Sequence, residues 1–266
     1  MLKKTAFSLL LTAIFLPFAL WSDDASMLCI ADALPETLPV LKGAAITLAM
    51  QKNIAVSFEK NSDPGKALTA LADGKYDLVL AVESALPESA KTLPRLCFGI
   101  DTLAVYVNSM NLAGGADEGV LKTVWVSNHP VWRLFGGGNR QIHLMGINNG
   151  RPGAGIFRFW LGEGYSPGNY LGLNTTGEML LMIGDDAEAL GVSRFAAGYP
   201  VEKVKVLAVN GVSPSLETIR DGKYPLAWRY VVISAKKDSP AVQSFIALLS
   251  SEEFKDKLES AGLVLP

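Results

Sequence analysis

The sequence is poor in the residues from which catalytic and metal sites are most often built. It has two cysteines, Cys29 and Cys97, and two histidines, His129 and His143, in 266 residues. Two cysteines do not make a disulfide scaffold. Both sit in apolar settings, MLCIA and RLCFG, which suit a single bridge or two separate buried thiols equally well. The two histidines have no acids at a recognisable ligand spacing, so no metal and no cofactor is expected. There is no Gly-x-Ser-x-Gly elbow, no His-Glu-x-x-His and no cysteine–histidine pair at a known spacing, so no enzyme is expected either. Basic runs and basic–aromatic patches are missing as well. With a formal charge of −2, the chain is not expected to bind nucleic acid. Internal repeats and low-complexity tracts are absent. Beyond the first residues, no run is long and apolar enough to cross a membrane.

What is present begins with MLKKTAFSLLLTAIFLPFALWS. Lys3 and Lys4 precede an apolar stretch from Ala6 to about Trp21, and this reads as a secretory signal over residues 1–22. An uncleaved anchor is the competing reading, but the run is short and Pro17 interrupts it. Export to the periplasm is therefore expected. The composition, 49% hydrophobic and 19% charged, is ordinary for one large or two small globular domains.

After the signal, strand and helix patterns alternate. MLCIA (27–31), IAVSFE (54–59) and YDLVLAV (76–82) read as strands, with helical spacing between them. This βαβαβ order predicts a parallel sheet with helices on its faces, and the continuous apolar strands fit burial on both sides. DTLAVYVN (101–108) is another strand. SMNLAGGADEG then breaks the pattern as a crossing between lobes. TVWVS, IHLMGIN, VKVLAVN and PLAWRYVVISA read as further strands, and the tail from Ser239 as a helix with Pro240 at its first position. Trp125, Trp132, Trp160 and Trp228 read as core or lobe-packing residues.

The stretch NGRPGAGIFRFWL (149–161) is the clearest chemical feature. A glycine turn between a strand and a helix leaves backbone N–H groups free at the positive end of the helix dipole, where an anion fits. Arg151 adds a forked cationic donor. An empty tight turn is the competing reading. The stretch is neither a P-loop nor a dinucleotide fingerprint.

The later sequence narrows the choice. VKVLAVNGVSPSLETIRDGKYPLAWRYVVIS (204–234) contains Asn210-Gly211-Val212, Pro214-Ser215, Ile219, Gly222 and Tyr224-Pro225-Leu226. In order and spacing these residues resemble the late part of phosphate-binding proteins, the periplasmic solute-binding components of ABC importers. DDAEALGV (185–192) and LTALADGKYDLVLAVESAL resemble other segments of that family. The resemblance implies a two-lobed α/β fold, each lobe a mainly parallel sheet flanked by helices, with hinge strands between them. It places residues 23–105 plus 223–266 in lobe 1 and 106–222 in lobe 2. It implies a small solute such as phosphate in the cleft and an inner-membrane ABC permease as partner; a monomer is the separate expectation for the chain itself.

The resemblance also locates a site, and the sequence departs from it there. The family's anion motif is Arg-x-Asp-Gly-Ser-Gly-Thr. Here the nearest match is Arg151-Pro152-Gly153-Ala154-Gly155-Ile156, one residue shorter and without the aspartate, serine and threonine side chains. Gly153, Ala154 and Gly155 remain as backbone donors. The first loop, ADALPETLP, keeps only Thr37 as a hydroxyl. Its acids Asp32 and Glu36 read as helix-start residues facing solvent. The second loop keeps Ser62 and Gly65. Glu83 and Ser84 follow the third strand, where the family has a carboxylate. The ligand-binding expectation is thus Thr37, Ser62, Gly65, Glu83, Ser84, Arg151, Gly153, Ala154 and Gly155, on a scaffold whose phosphate site is partly lost. A degenerate binding fold, acting as a sensor or interaction module without phosphate, is the alternative.

Overall fold

Short apolar runs separated by glycine, proline and capping residues become the strands and helices of one layered sheet. The computed structural model describes residues 26–90, 92–162, 167–196, 202–235 and 239–266, so the signal segment lies outside the described residues. The first half of the chain gives β1 (Ser26–Asp32), α1 (Pro39–Lys52), β2 (Ile54–Lys60), α2 (Pro64–Ala72), β3 (Leu78–Val82) and the long β4 (Arg95–Asn108). The middle gives β5 (Gly115–Ala116), α3 (Glu118–Val126), β6 (His143–Ile147), α4 (Ala154–Leu161), β7 (Leu171–Leu173), α5 (Thr176–Asp185) and β8 (Ala189–Arg194). The rest gives β9 (Val204–Val206), β10 (Ala208–Val209), α6 (Leu216–Arg220), β11 (Ala227–Ser234), α7 (Pro240–Leu249) and α8 (Glu252–Ser260).

The strand order is β2-β1-β3-β11-β4-β8-β6-β7, with β9 also on β4 and a separate β5–β10 pair. Strand β1 runs parallel to β2 and β3, and β6 runs parallel to β8 and β7. The two parallel groups are joined through β4. Its first part, to Thr102, pairs antiparallel with β11, and Leu103 to Val107 pair antiparallel with β8. One strand thus serves both halves of a two-lobed α/β fold.

Each half has its own core. Leu28, Ile30, Leu41, Leu48, Phe245 and Leu258 pack α1, α7 and α8 on one face of the first half. Ala67 and Leu71 of α2 cover the other face against Val79 and Ala81. In the second half, Trp125, Phe157 and Trp160 pack α3 and α4 on one face, and Met179 and Ile183 of α5 cover the other. The Trp125 and Phe157 rings meet edge-on, centroids 4.8 Å apart. Trp125, Trp132 and Trp160 are buried, and the half-buried Trp228 touches both large cores. Cys29 and Cys97 are separate thiols.

One sequence expectation fails here. TVWVS is not a strand but the end of α3. Its β-branched residues suggested a strand, yet Leu121, Val124 and Trp125 are the buried positions, at helical spacing. The Asp117 carboxylate caps the helix by accepting from the Gly119 and Val120 amides at 2.8 and 3.3 Å. The preceding break contains β5 and leads straight into this cap.

Candidate functional site

The glycine stretch forms the turn between β6 and α4. Gly150 and Gly153 take φ angles of 81° and 92°, a conformation that side-chain-bearing residues rarely adopt. Gly153 is the residue that caps α4, and it has no side chain with which to satisfy the first amides of the helix. The Ala154 amide turns back to the Arg151 carbonyl at 3.1 Å. The Gly153 and Gly155 amides are free of such local partners, and both donate to one carboxylate, that of Glu36. Gly153 lies 3.0 Å from Oε1 and 3.2 Å from Oε2, and Gly155 lies 2.9 Å from Oε2.

Glu36 reaches this helix from the loop after β1, which is folded tightly around Asp32. The Asp32 carboxylate accepts from the Leu34 amide at 3.1 Å and the Thr37 hydroxyl at 2.7 Å. Lys60 lies 3.6 Å from it and also donates to the Leu34 carbonyl. Asp32 itself is buried. The curled loop therefore projects Glu36 across to α4, and its side chain is only 17% exposed. The fit is close. A Cβ on Gly155 would lie 2.6 Å from the Glu36 Cβ and 2.9 Å from the Pro35 carbonyl oxygen. Only glycine permits that approach.

Arg194, at the end of β8, completes the arrangement. Its Nη2 donates to Glu36 Oε1 at 2.5 Å and to Asp101 Oδ2 at 2.6 Å. Its Nε donates to Asp101 Oδ1 at 2.9 Å, which makes the Asp101 pair two-pronged. Nη1 reaches the Ala261 carbonyl at 3.3 Å. Asp101 also accepts from the Tyr230 hydroxyl at 2.8 Å and the Thr102 amide at 3.0 Å. Burial works against the Arg194 charge, but Asp101 and Glu36 outweigh it and hold the guanidinium pKa above its ordinary value. Burial, followed by the charge of Asp101, raises the Tyr230 hydroxyl well above the usual tyrosine range. Two carboxylates thus share one guanidinium, and the partial positive charge of the α4 N-terminus supplies the remaining balance.

The geometry brings only Gly153, Ala154 and Gly155 of the expected site residues into the cradle. Gly153 and Gly155 stand in the cradle with their amides used, and Ala154 lies buried between them with its amide used locally. Arg151 is exposed and donates to Asn174 Oδ1 at 3.2 Å. Thr37 is tied to Asp32. At the start of α2, Ser62 is exposed, and the Gly65 amide donates to its neighbour Asp63 at 2.9 Å. Glu83 pairs with Arg95 at 2.7 Å, and with Ser84, Trp228 and Arg229 it lines a separate cavity of about 370 Å³. Among the described residues, no group of histidine, cysteine, aspartate and glutamate is arranged to hold a metal ion.

Sequence reasoning missed the ion pair at the centre and the direction of Glu36. Solvent-facing acids were expected at Asp32 and Glu36, but Asp32 is buried within its loop and Glu36 turns onto the α4 N-terminus and Arg194. The signal for Arg194 and Asp101 was visible in ALGVSRF and CFGIDTLAVYV, where single charges interrupt otherwise buried strands.

No family model matches the chain. The phosphate-binding protein PstS of Bacillus subtilis is 23% identical over 173 residues, covering 60% of this chain. The chain spans 57% of that relative's length. A possible phosphate-binding protein from Planctomyces limnophilus superposes with a TM-score of 0.75 at 18% identity, covering 91% of this chain and 93% of its own. PstS from Borrelia burgdorferi superposes with a TM-score of 0.69 at 16% identity, covering 90% and 98%. The chain resembles phosphate-binding proteins in sequence and shares their two-lobed fold.

Proposed function

We propose that this chain is an exported, two-lobed solute-binding protein that serves an inner-membrane ABC permease, and that it is a monomer and not an enzyme. In this proposal residues 23–105 plus 223–266 make one lobe and 106–222 the other, after a cleaved signal over residues 1–22. The solute is small and is not free inorganic phosphate. The observation behind this is the Glu36 carboxylate on the Gly153 and Gly155 amides and on Arg194. Donors that would meet phosphate oxygens already have an anionic partner. A phosphate entering beside Glu36 and Asp101 would also face two negative charges. Thr37, Ser62, Gly65, Glu83, Ser84 and Arg151 border the loops and turns from which a different solute would be held.

Calorimetric titration of the exported protein with phosphate, sulfate and phosphonates, followed by neutral and cationic small solutes, tests this reading. The expected outcome is no heat from millimolar phosphate and a micromolar response from a solute of another class. Micromolar phosphate binding would overturn it. The full satisfaction of the cradle also favours a second reading, a sensor or interaction module without a transported ligand. That reading requires silence from every solute together with a stable protein partner.

A further inference from the structure

We infer that Glu36 is a built-in ligand, a carboxylate of the chain itself that occupies the anion cradle between the lobes and holds them together without solute. The inference rests on the two-lobed binding-protein reading and goes beyond it. Two independent features meet at Glu36. One is the α4 N-terminus, whose amides have no side-chain cap of their own. The other is the Arg194 guanidinium, whose side chain is only 9% exposed. Each finds its partner in a residue more than 100 positions away in sequence: 117 for the Gly153 amide and 158 for Arg194.

The contacts account for both carboxylate oxygens. Oε1 takes the Gly153 amide and Arg194, and Oε2 takes the Gly155 amide with a longer approach from Gly153. These are charge-assisted bonds in a water-poor setting, stronger than neutral ones. They join the loop after β1 to α4 and, through Arg194 and Asp101, to the strand β4 shared by both halves. Trp228 and Phe159 make a second junction, with rings perpendicular at 6.1 Å between β11 and α4.

A tethered carboxylate competes at a high effective concentration, so an external anion binds only the fraction of molecules in which Glu36 has left. Removing the carboxylate exposes two oriented amides and one guanidinium edge, a set that suits a tetrahedral oxyanion. Arg194 stays charged through Asp101, so the cradle keeps its cationic donor.

The test compares wild-type protein with Glu36→Ala, using inorganic phosphate and sulfate as probes in calorimetry and small-angle scattering to follow lobe separation. Wild type is expected to scatter as a closed molecule with or without anion. Glu36→Ala is expected to expand, to bind phosphate or sulfate at least about tenfold more tightly than wild type, and to contract on binding. Should the alanine variant fail to fold, Glu36→Gln keeps the size of the side chain and is expected to show the same gain, to a smaller extent. Equal anion affinity in variant and wild type, with unchanged scattering, would overturn the built-in ligand. If wild type still takes a non-phosphate solute in that case, the receptor reading stands alone. A variant that gains anion binding, beside a wild type that takes no solute, would support the built-in ligand and defeat the receptor reading.

Discussion

Helices α2 and α4 both have their first amides closed by a carboxylate, and they do so by opposite means. At α2 the carboxylate is local. Asp63 immediately precedes the helix, and its Oδ1 accepts from Gly65 at 2.9 Å and Lys66 at 3.1 Å, in full view of solvent. At α4 the residue before the helix is Gly153, which has nothing to offer, and the carboxylate comes from Glu36 in a distant loop. The local cap stabilises one helix. The distant one joins two halves of the protein. The same chemistry therefore gives a fold detail in one place and a conformational constraint in the other, and the difference lies in the loop closed and the water excluded.

Three substitutions would break or sharpen this contrast. The largest effect is expected at Arg194. Arg194→Met leaves Asp101 buried without its cation and should cost about 3–5 kcal/mol in urea unfolding. A loss below about 1 kcal/mol would mean that the ion pair does not organise the junction. The next effect is at Gly155. Gly155→Ala places a Cβ 2.6 Å from that of Glu36, an overlap costing about 1–3 kcal/mol. The helical preference of alanine, worth up to about 1 kcal/mol, works the other way. A net loss is expected, with increased lobe separation in scattering. A variant more stable than wild type would show that the loop is not seated against α4. The smallest effect is at α2. Asp63→Ala should cost about 1 kcal/mol in the same unfolding assay. It should leave the response to phosphate and sulfate unchanged, because that cap touches no other element. An altered anion response would erase the distinction between the two helix starts.

Much of the fold was legible because its signals are local. Continuous apolar runs such as LVLAV, and Pro240 after Ser239, state their structure within a few residues. The same holds for the glycine turn before α4, where Gly153 carries the positive φ. The error over TVWVS had a local cause too, since β-branched residues satisfied a strand pattern while Asp117 and the 3–4 spacing favoured a helix. The site was less legible. Arg151 stood beside the glycines in sequence and drew the assignment of the anion donor, yet it points to Asn174 at the surface. Arg194 lies 43 positions beyond Arg151 and reaches the cradle because β8 ends there.

The sequence by itself determined the alternation of strand and helix, the likeness to phosphate-binding proteins, and a glycine turn whose backbone amides open a helix. Tertiary structure alone decided what those amides hold. Hydrophobic periodicity and capping depend on neighbours a few residues apart, so one chain read in order contains them. Occupation of the cradle depends on β1, β4, β8 and α4 converging on one point. There, burial makes each charge seek a partner, and the partner that Gly153, Gly155 and Arg194 find is Glu36.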